Sequence, residues 1–142
     1  MGMRWINKIA ISVVVMGMTL GVGGVASAQN PPVISWTINA NGFLGQLVIT
    51  AVDSQTGNLT GTVFGTPISG FWDGVSEKIT FIRMINAANP ATAQVFTGYM
   101  FNNATSQGQI YTLAGSFVGF RGTGGSAERE LFGWYAESGP IF

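Results

Sequence analysis

The chain has no cysteine and no histidine among its 142 residues. The first absence excludes disulfides and thiolate chemistry, the second removes the commonest general base, and together they deny zinc its favoured ligands. Charge is scarce as well. Lys and Arg number six, Asp and Glu number six, and charged residues make up 8 % of the chain, where about 25 % is usual. The polar surface therefore has to come from Ser, Thr, Asn, Gln and Gly, and carboxylates, hydroxyls and aromatic rings are the remaining chemistry. Helical periodicity is missing too: after Ala28 no stretch sets apolar residues at helical spacing over three turns.

Residues 1–28 stand apart from the rest. Arg4 and Lys8 precede an apolar run from Ile9 to Val25, which closes on Ala26-Ser27-Ala28. A basic start, an apolar middle and a small-x-small end are the order of a secretory signal peptide, here cleaved after Ala28. The run carries Gly17, Gly21, Gly23 and Gly24 and falls short of the about 20 residues a spanning helix needs, so no membrane contact is expected after cleavage; an uncleaved membrane anchor is the alternative. Residues 29–142 then carry Lys78, Arg83, Arg121 and Arg129 against Asp53, Asp73, Glu77, Glu128, Glu130 and Glu137, a net charge of −2. With no basic patch to neutralise phosphates, nucleic acid is excluded as a partner. A segment of that length makes a single domain. Exported without cysteines, it suits a periplasm or the medium better than a disulfide-building pathway.

Short runs rich in Val, Ile, Thr, Phe, Tyr and Trp recur between Gly, Asn, Asp and Ser clusters, which is an all-β pattern. Eight strands are predicted: Val33 to Asn39, Phe43 to Val52, Asn58 to Phe64, Pro67 to Trp72, Lys78 to Ile85, Ala93 to Phe101, Ile110 to Phe120, and Glu130 to Ala136. The connections between them, among them Asn41-Gly42, Gly65-Thr66 and Asn102 to Gly108, are short enough for antiparallel hairpins. A weak repeat of apolar, small, Gly runs through Leu59-Thr60-Gly61, Ile68-Ser69-Gly70, Phe96-Thr97-Gly98 and Leu113-Ala114-Gly115, with Phe132-Gly133-Trp134 as a degenerate copy. Glycine inside strand after strand marks sharp bends or close approaches, as closing a tightly coiled barrel requires. An even number of meandering strands closes most simply as an eight-stranded antiparallel up-and-down β-barrel, with a two-sheet β-sandwich as the alternative.

Four segments arrive in register with these strands: Trp36-Thr37-Ile38-Asn39, Gly57-Asn58-Leu59-Thr60-Gly61-Thr62-Val63, Val95-Phe96-Thr97-Gly98-Tyr99, and Gly133-Trp134-Tyr135-Ala136 before Ile141-Phe142. In that order they resemble the avidin and streptavidin family across nearly the whole mature chain. The resemblance implies an eight-stranded barrel, often dimeric or tetrameric, with a pocket at one open end that in the family holds biotin. It also implies that Asn39 stands where an Asn meets the ureido oxygen. The family's other oxygen-binding positions fall on Phe43, Val63 and Gly65, and its barrel tryptophans fall on Phe81, Phe96 and Ala114. Trp134 keeps its indole at a position that reaches a neighbouring subunit in family tetramers, and Thr92 and Gln94 fall near hydroxyls that meet the ligand's sulfur and tail. The family's C-terminal acid has no counterpart in Gly139-Pro140-Ile141-Phe142. Each unpaired ligand group costs about 1–3 kcal/mol, so about four of them remove about 3–9 decades of affinity. Tight biotin binding is disfavoured.

The carboxylate pairs, Asp73 with Glu77 and Glu128 with Glu130, fall in predicted loops as solvated turn residues, so no enzyme activity is expected, a carboxylate-based one being the alternative. No pattern requires a cofactor or a metal. Arg83, in Thr80-Phe81-Ile82-Arg83-Met84, reads as an outward charge blunting an apolar surface. Its alternative is an inward arginine paired with an acid or an anionic ligand. Strands apolar on both faces, Val95 to Phe101 and Leu131 to Tyr135, point to a homo-oligomer, dimer or tetramer. Two functions fit these residues. One is a binding module holding a small, mostly uncharged ligand among Asn39, Phe81, Gln94, Phe96 and Trp134; the other is a structural or interaction protein that self-assembles through its outer aromatic face, with its interior filled.

Overall fold

The structure, a computed structural model, describes residues 31, 33–121 and 128–139. The expected signal peptide at residues 1–28, the span 122–127 and the last three residues lie outside the described residues. Eight strands follow one another: β1 (Ser35–Ala40), β2 (Phe43–Val52), β3 (Asn58–Val63), β4 (Thr66–Asp73), β5 (Lys78–Met84), β6 (Ala93–Thr105), β7 (Gly108–Arg121) and β8 (Glu128–Ser138). Each pairs antiparallel with the next, and β8 returns to β1 with Ile38 opposite Ala136, so the sheet closes into an up-and-down barrel. Closure leaves no unpaired rim, which rules out the two-sheet alternative. A short 3-10 turn, Pro90–Thr92, sits between β5 and β6.

The side chains follow the pleat. In β1, Trp36, Ile38 and Ala40 are buried while Ser35 and Thr37 are exposed, because alternate residues face the interior. Across β5 to β8 the register sets Phe81, Phe96, Phe117 and Phe132 side by side on the inner face. Their rings form a ladder with centroids 4.8, 4.6 and 5.3 Å apart, within the range of favourable offset stacking. The end bearing the β2–β3, β4–β5 and β6–β7 turns is filled by Trp36, Trp72 and Met100, with Tyr111 packed against them.

Four of the five repeated glycines do what their spacing implies. A Cβ at Gly61, Gly70 or Gly115 would strike the carbonyl of Val48, Thr80 or Thr97 on the neighbouring strand, and one at Gly98 would lie 2.7 Å from the Trp134 ring. Gly133 is different: it faces outward with nothing within 4 Å, so the degenerate copy of the repeat is not a pinch point.

Asn41 and Gly42 have φ of 51° and 87°, the pair of left-handed residues that a two-residue hairpin turn needs. The β3–β4 turn has the same form but is made by Phe64 and Gly65, φ 51° and 75°, one residue earlier than Gly65-Thr66. The β6–β7 connection is also shorter than the sequence suggests. The ladder continues through Asn102, Asn103, Ala104 and Thr105 to Gly108, where exposed polar residues on both faces give no burial pattern to read.

Candidate functional site

The end opposite the tryptophan plug carries the Asn41-Gly42 and Phe64-Gly65 turns and holds a cavity of about 190 Å³. Ala40, Phe43, Phe64, Arg83, Gln94, Phe96 and Phe117 line it. Phe96 and Phe117 form one stacked wall, continuous with the ring ladder. Phe64 supplies another: its ring folds inward over β2 into the space that Gly45 leaves by having no side chain.

Arg83 faces inward, which corrects the outward reading. It shares its register with the buried Ile79 and Phe81, and odd positions on β5 all face the interior. The arginine is held by neutral groups. Its Nη1 donates to Gln94 Oε1 at 3.1 Å, its Nε to Thr66 Oγ1 at 3.4 Å, and its guanidinium carbon lies 5.0 Å from the Phe64 ring centroid. Partial burial pulls the guanidinium below its ordinary pKa, since dehydration disfavours the charged form.

The residues that the sequence nominated divide between three places. Gln94 and Phe96 line the cavity. Phe81 and Trp134 belong to the packed interior, edge to face at 5.7 Å; Trp134 is only 4 % exposed. The Trp134 indole N–H donates to the carbonyls of Thr97 and Ser116 at 3.2 and 3.1 Å, so the ring lies in its own barrel rather than reaching toward a neighbour. Asn39 is on the outward register of β1, and its Oδ1 accepts from Gly42 N at 2.8 Å; it caps the turn and does not line the cavity. Thr92 is likewise engaged locally, donating to Asn89 O and accepting from Asn86 N. Of the positions where the family places oxygen-binding or ring groups, Phe43 lines the mouth, Val63 is buried in the core, and Ala114 faces outward between Tyr99 and Tyr135. Besides Ala40, Phe43 and Phe117, the lining residues that the sequence did not nominate are Phe64 and Arg83, the latter read inward only as an alternative. The shared odd spacing of Ile79, Phe81 and Arg83 carried a signal for the second; a bulky residue at positive φ carried none for the first.

The opposite end offers little chemistry. Asp53 accepts from the backbone N–H of Thr56 and Gln55, and Asp73 from the Ser76 hydroxyl and the Val75 and Ser76 amides. These bonds hold both carboxyls below the ordinary carboxylate pKa. Among the described residues no three His, Cys, Asp or Glu side chains come together to hold a metal ion.

The outer face of β5 to β8 is arranged in rows. Ile82, Val95, Val118 and Leu131 stand side by side, then Thr80, Thr97, Ser116 and Gly133, then Lys78, Tyr99, Ala114 and Tyr135. Ile82, Val95, Tyr99, Leu131 and Tyr135 are exposed. No protein-family model, curated protein or solved structure matches the chain.

Proposed function

We propose that the chain is an exported, avidin-like barrel that binds a small, mostly apolar ligand at its mouth. The observation that carries this reading is the contrast between the two ends. Within the barrel one end is plugged by tryptophans, and the hollow of about 170 Å³ found there lies among the β2–β3 and β4–β5 turn residues. The other end keeps about 190 Å³ between stacked rings, with Arg83 and Gln94 as its polar groups. Concave, ring-lined space with a few convergent polar groups is the usual form of a ligand site. The volume is below the about 300 Å³ at which drug-sized pockets begin, so the ligand is compact. Tight biotin binding is not part of the proposal, because Asn39 caps a turn and Phe43 and Val63 offer no oxygen. Nor is catalysis part of it: Asp53 and Asp73 are engaged by the amides and the hydroxyl of their own turns, away from the mouth.

The test is amide chemical-shift mapping of the mature chain with benzyl alcohol and benzamide as probes. Shifts concentrated at Ala40, Gln94, Phe96 and Phe117 support the reading. Shifts confined to Ile82, Val95 and Leu131, or none at millimolar probe, contradict it.

The outer rows support a second property, assembly into a dimer or tetramer. The row Ile82, Val95, Val118, Leu131 and the row beside it carry no charge, and small Thr, Ser and Gly residues at the centre leave a flat surface for another sheet. Sedimentation equilibrium reads the outcome. A dimer or tetramer that Leu131→Arg dissociates supports the property, and a monomeric wild type contradicts it.

A further inference from the structure

The donors that face the mouth are matched to one kind of ligand group. A guanidinium has five N–H donors and no acceptor; Arg83 spends one on Gln94 and one on Thr66. The Gln94 carbonyl accepts from Arg83, and its amide nitrogen keeps N–H donors for the cavity. Both polar groups lining the space offer N–H donors, and Arg83 brings a positive charge whose contacts among the described residues are all neutral. Glu130 stands on the same inner row, opposite Gly119. It is three strands from Arg83, roughly 14 Å along the sheet at ~4.8 Å per step, and does not line the cavity.

We infer that the mouth takes a small monocarboxylate with a compact apolar body, its carboxylate on Arg83 and Gln94 and its body against Phe96 and Phe117. The inference rests on the mouth being the binding site and narrows its ligand to one anionic group on an apolar frame. A carboxylate is acceptor-only and fits the fork of an arginine in a planar, bidentate way. Phe64 beneath the guanidinium holds the fork in place and shields it from water on one face. The stacked walls favour an apolar body over a strongly hydrated inorganic anion, whose desolvation they do not repay.

Calorimetry with benzoate, benzamide and inorganic phosphate separates the outcomes, because benzoate and benzamide share a shape and differ in charge. Benzoate is expected to bind at least about tenfold more tightly than benzamide. Arg83→Gln is expected to erase that preference while benzamide binding persists, and Arg83→Lys, which keeps the charge but loses the fork, to retain part of it. Benzamide equal to benzoate in the wild type overturns the carboxylate inference and leaves the mouth site standing. Phosphate displacing benzoate overturns it in favour of a simple anion site. If neither ring compound binds at millimolar concentration, the inference and the mouth reading fall together.

Discussion

The ring of Phe64 lies in the space that a side chain at Gly45 would fill. Phe64 sits at positive φ in a tight turn, so its backbone aims the ring back over β2. The absence of a Cβ at Gly45 lets it settle there beneath the Arg83 guanidinium.

Gly45→Ala is therefore expected to push the ring off β2. Overpacking of this kind costs about 1–3 kcal/mol, read as a melting temperature lowered by several degrees. The same variant is expected to weaken benzoate binding, because the arginine loses the surface on which it rests. An unchanged melting temperature with unchanged binding contradicts this account of the mouth.

Trp36 and Trp134 are both buried, at 1 % and 4 % exposure, but their indole N–H groups differ. That of Trp134 has two carbonyl acceptors, while that of Trp36 has no partner among the described residues. An unpaired buried donor carries its full desolvation penalty. Trp36→Phe is expected to be less costly than Trp134→Phe by about 1 kcal/mol in denaturant unfolding. The reverse order overturns the assignment.

Gly115 and Gly133 are copies of one repeat with opposite surroundings. Ala at Gly115 meets the Thr97 carbonyl, whereas Ala at Gly133 meets open space at an ordinary backbone angle. Gly115→Ala is expected to lower stability by about 2 kcal/mol or more. Gly133→Ala is expected to leave it unchanged or raise it slightly. Thermal unfolding of the two variants side by side is the measurement.

The pH dependence follows from Asp53 and Asp73, whose carboxyls are held low by hydrogen bonds within their turns. A lowered folded-state value means that the folded chain favours the carboxylate. Their contribution is complete above the ordinary value of 3.8 and is lost as the pH falls through the folded-state values. With no histidine or cysteine in the chain, stability is expected to be flat from about pH 5 to pH 8. Asp53→Asn with Asp73→Asn is expected to flatten the acid limb. A midpoint of stability loss near neutral pH contradicts this.

How far the sequence reaches depends on where each residue sits. Strand order and closure were legible because apolar alternation, Asn41-Gly42 and the glycines of the repeat are local signals that the barrel obeys. The β6–β7 extension was not, since Asn102 to Thr105 are exposed on both faces and an unburied ladder reads as loop. Among the candidate site residues, Gln94 and Phe96 reached the cavity. Asn39 did not, because Trp36, Ile38 and Ala40 take the inward positions of β1 and leave Asn39 on the other face. Arg83 was misjudged because its dehydration cost argued outward, while register, enforced by Ile79 and Phe81, held it inward.

Everything at the mouth depends on β8 returning to β1, which brings Ala40 round to Phe96 and Phe117. Amide hydrogen exchange along Ser35–Ala40 tests this most directly. In an antiparallel ladder alternate N–H groups point to opposite neighbours, so a strand paired on both sides is protected at consecutive residues and an edge strand only at every second one. The closed barrel is expected to protect consecutive amides from Trp36 to Ala40, with their partners in β8. Alternating protection along β1, with fast exchange on the side facing β8, contradicts it.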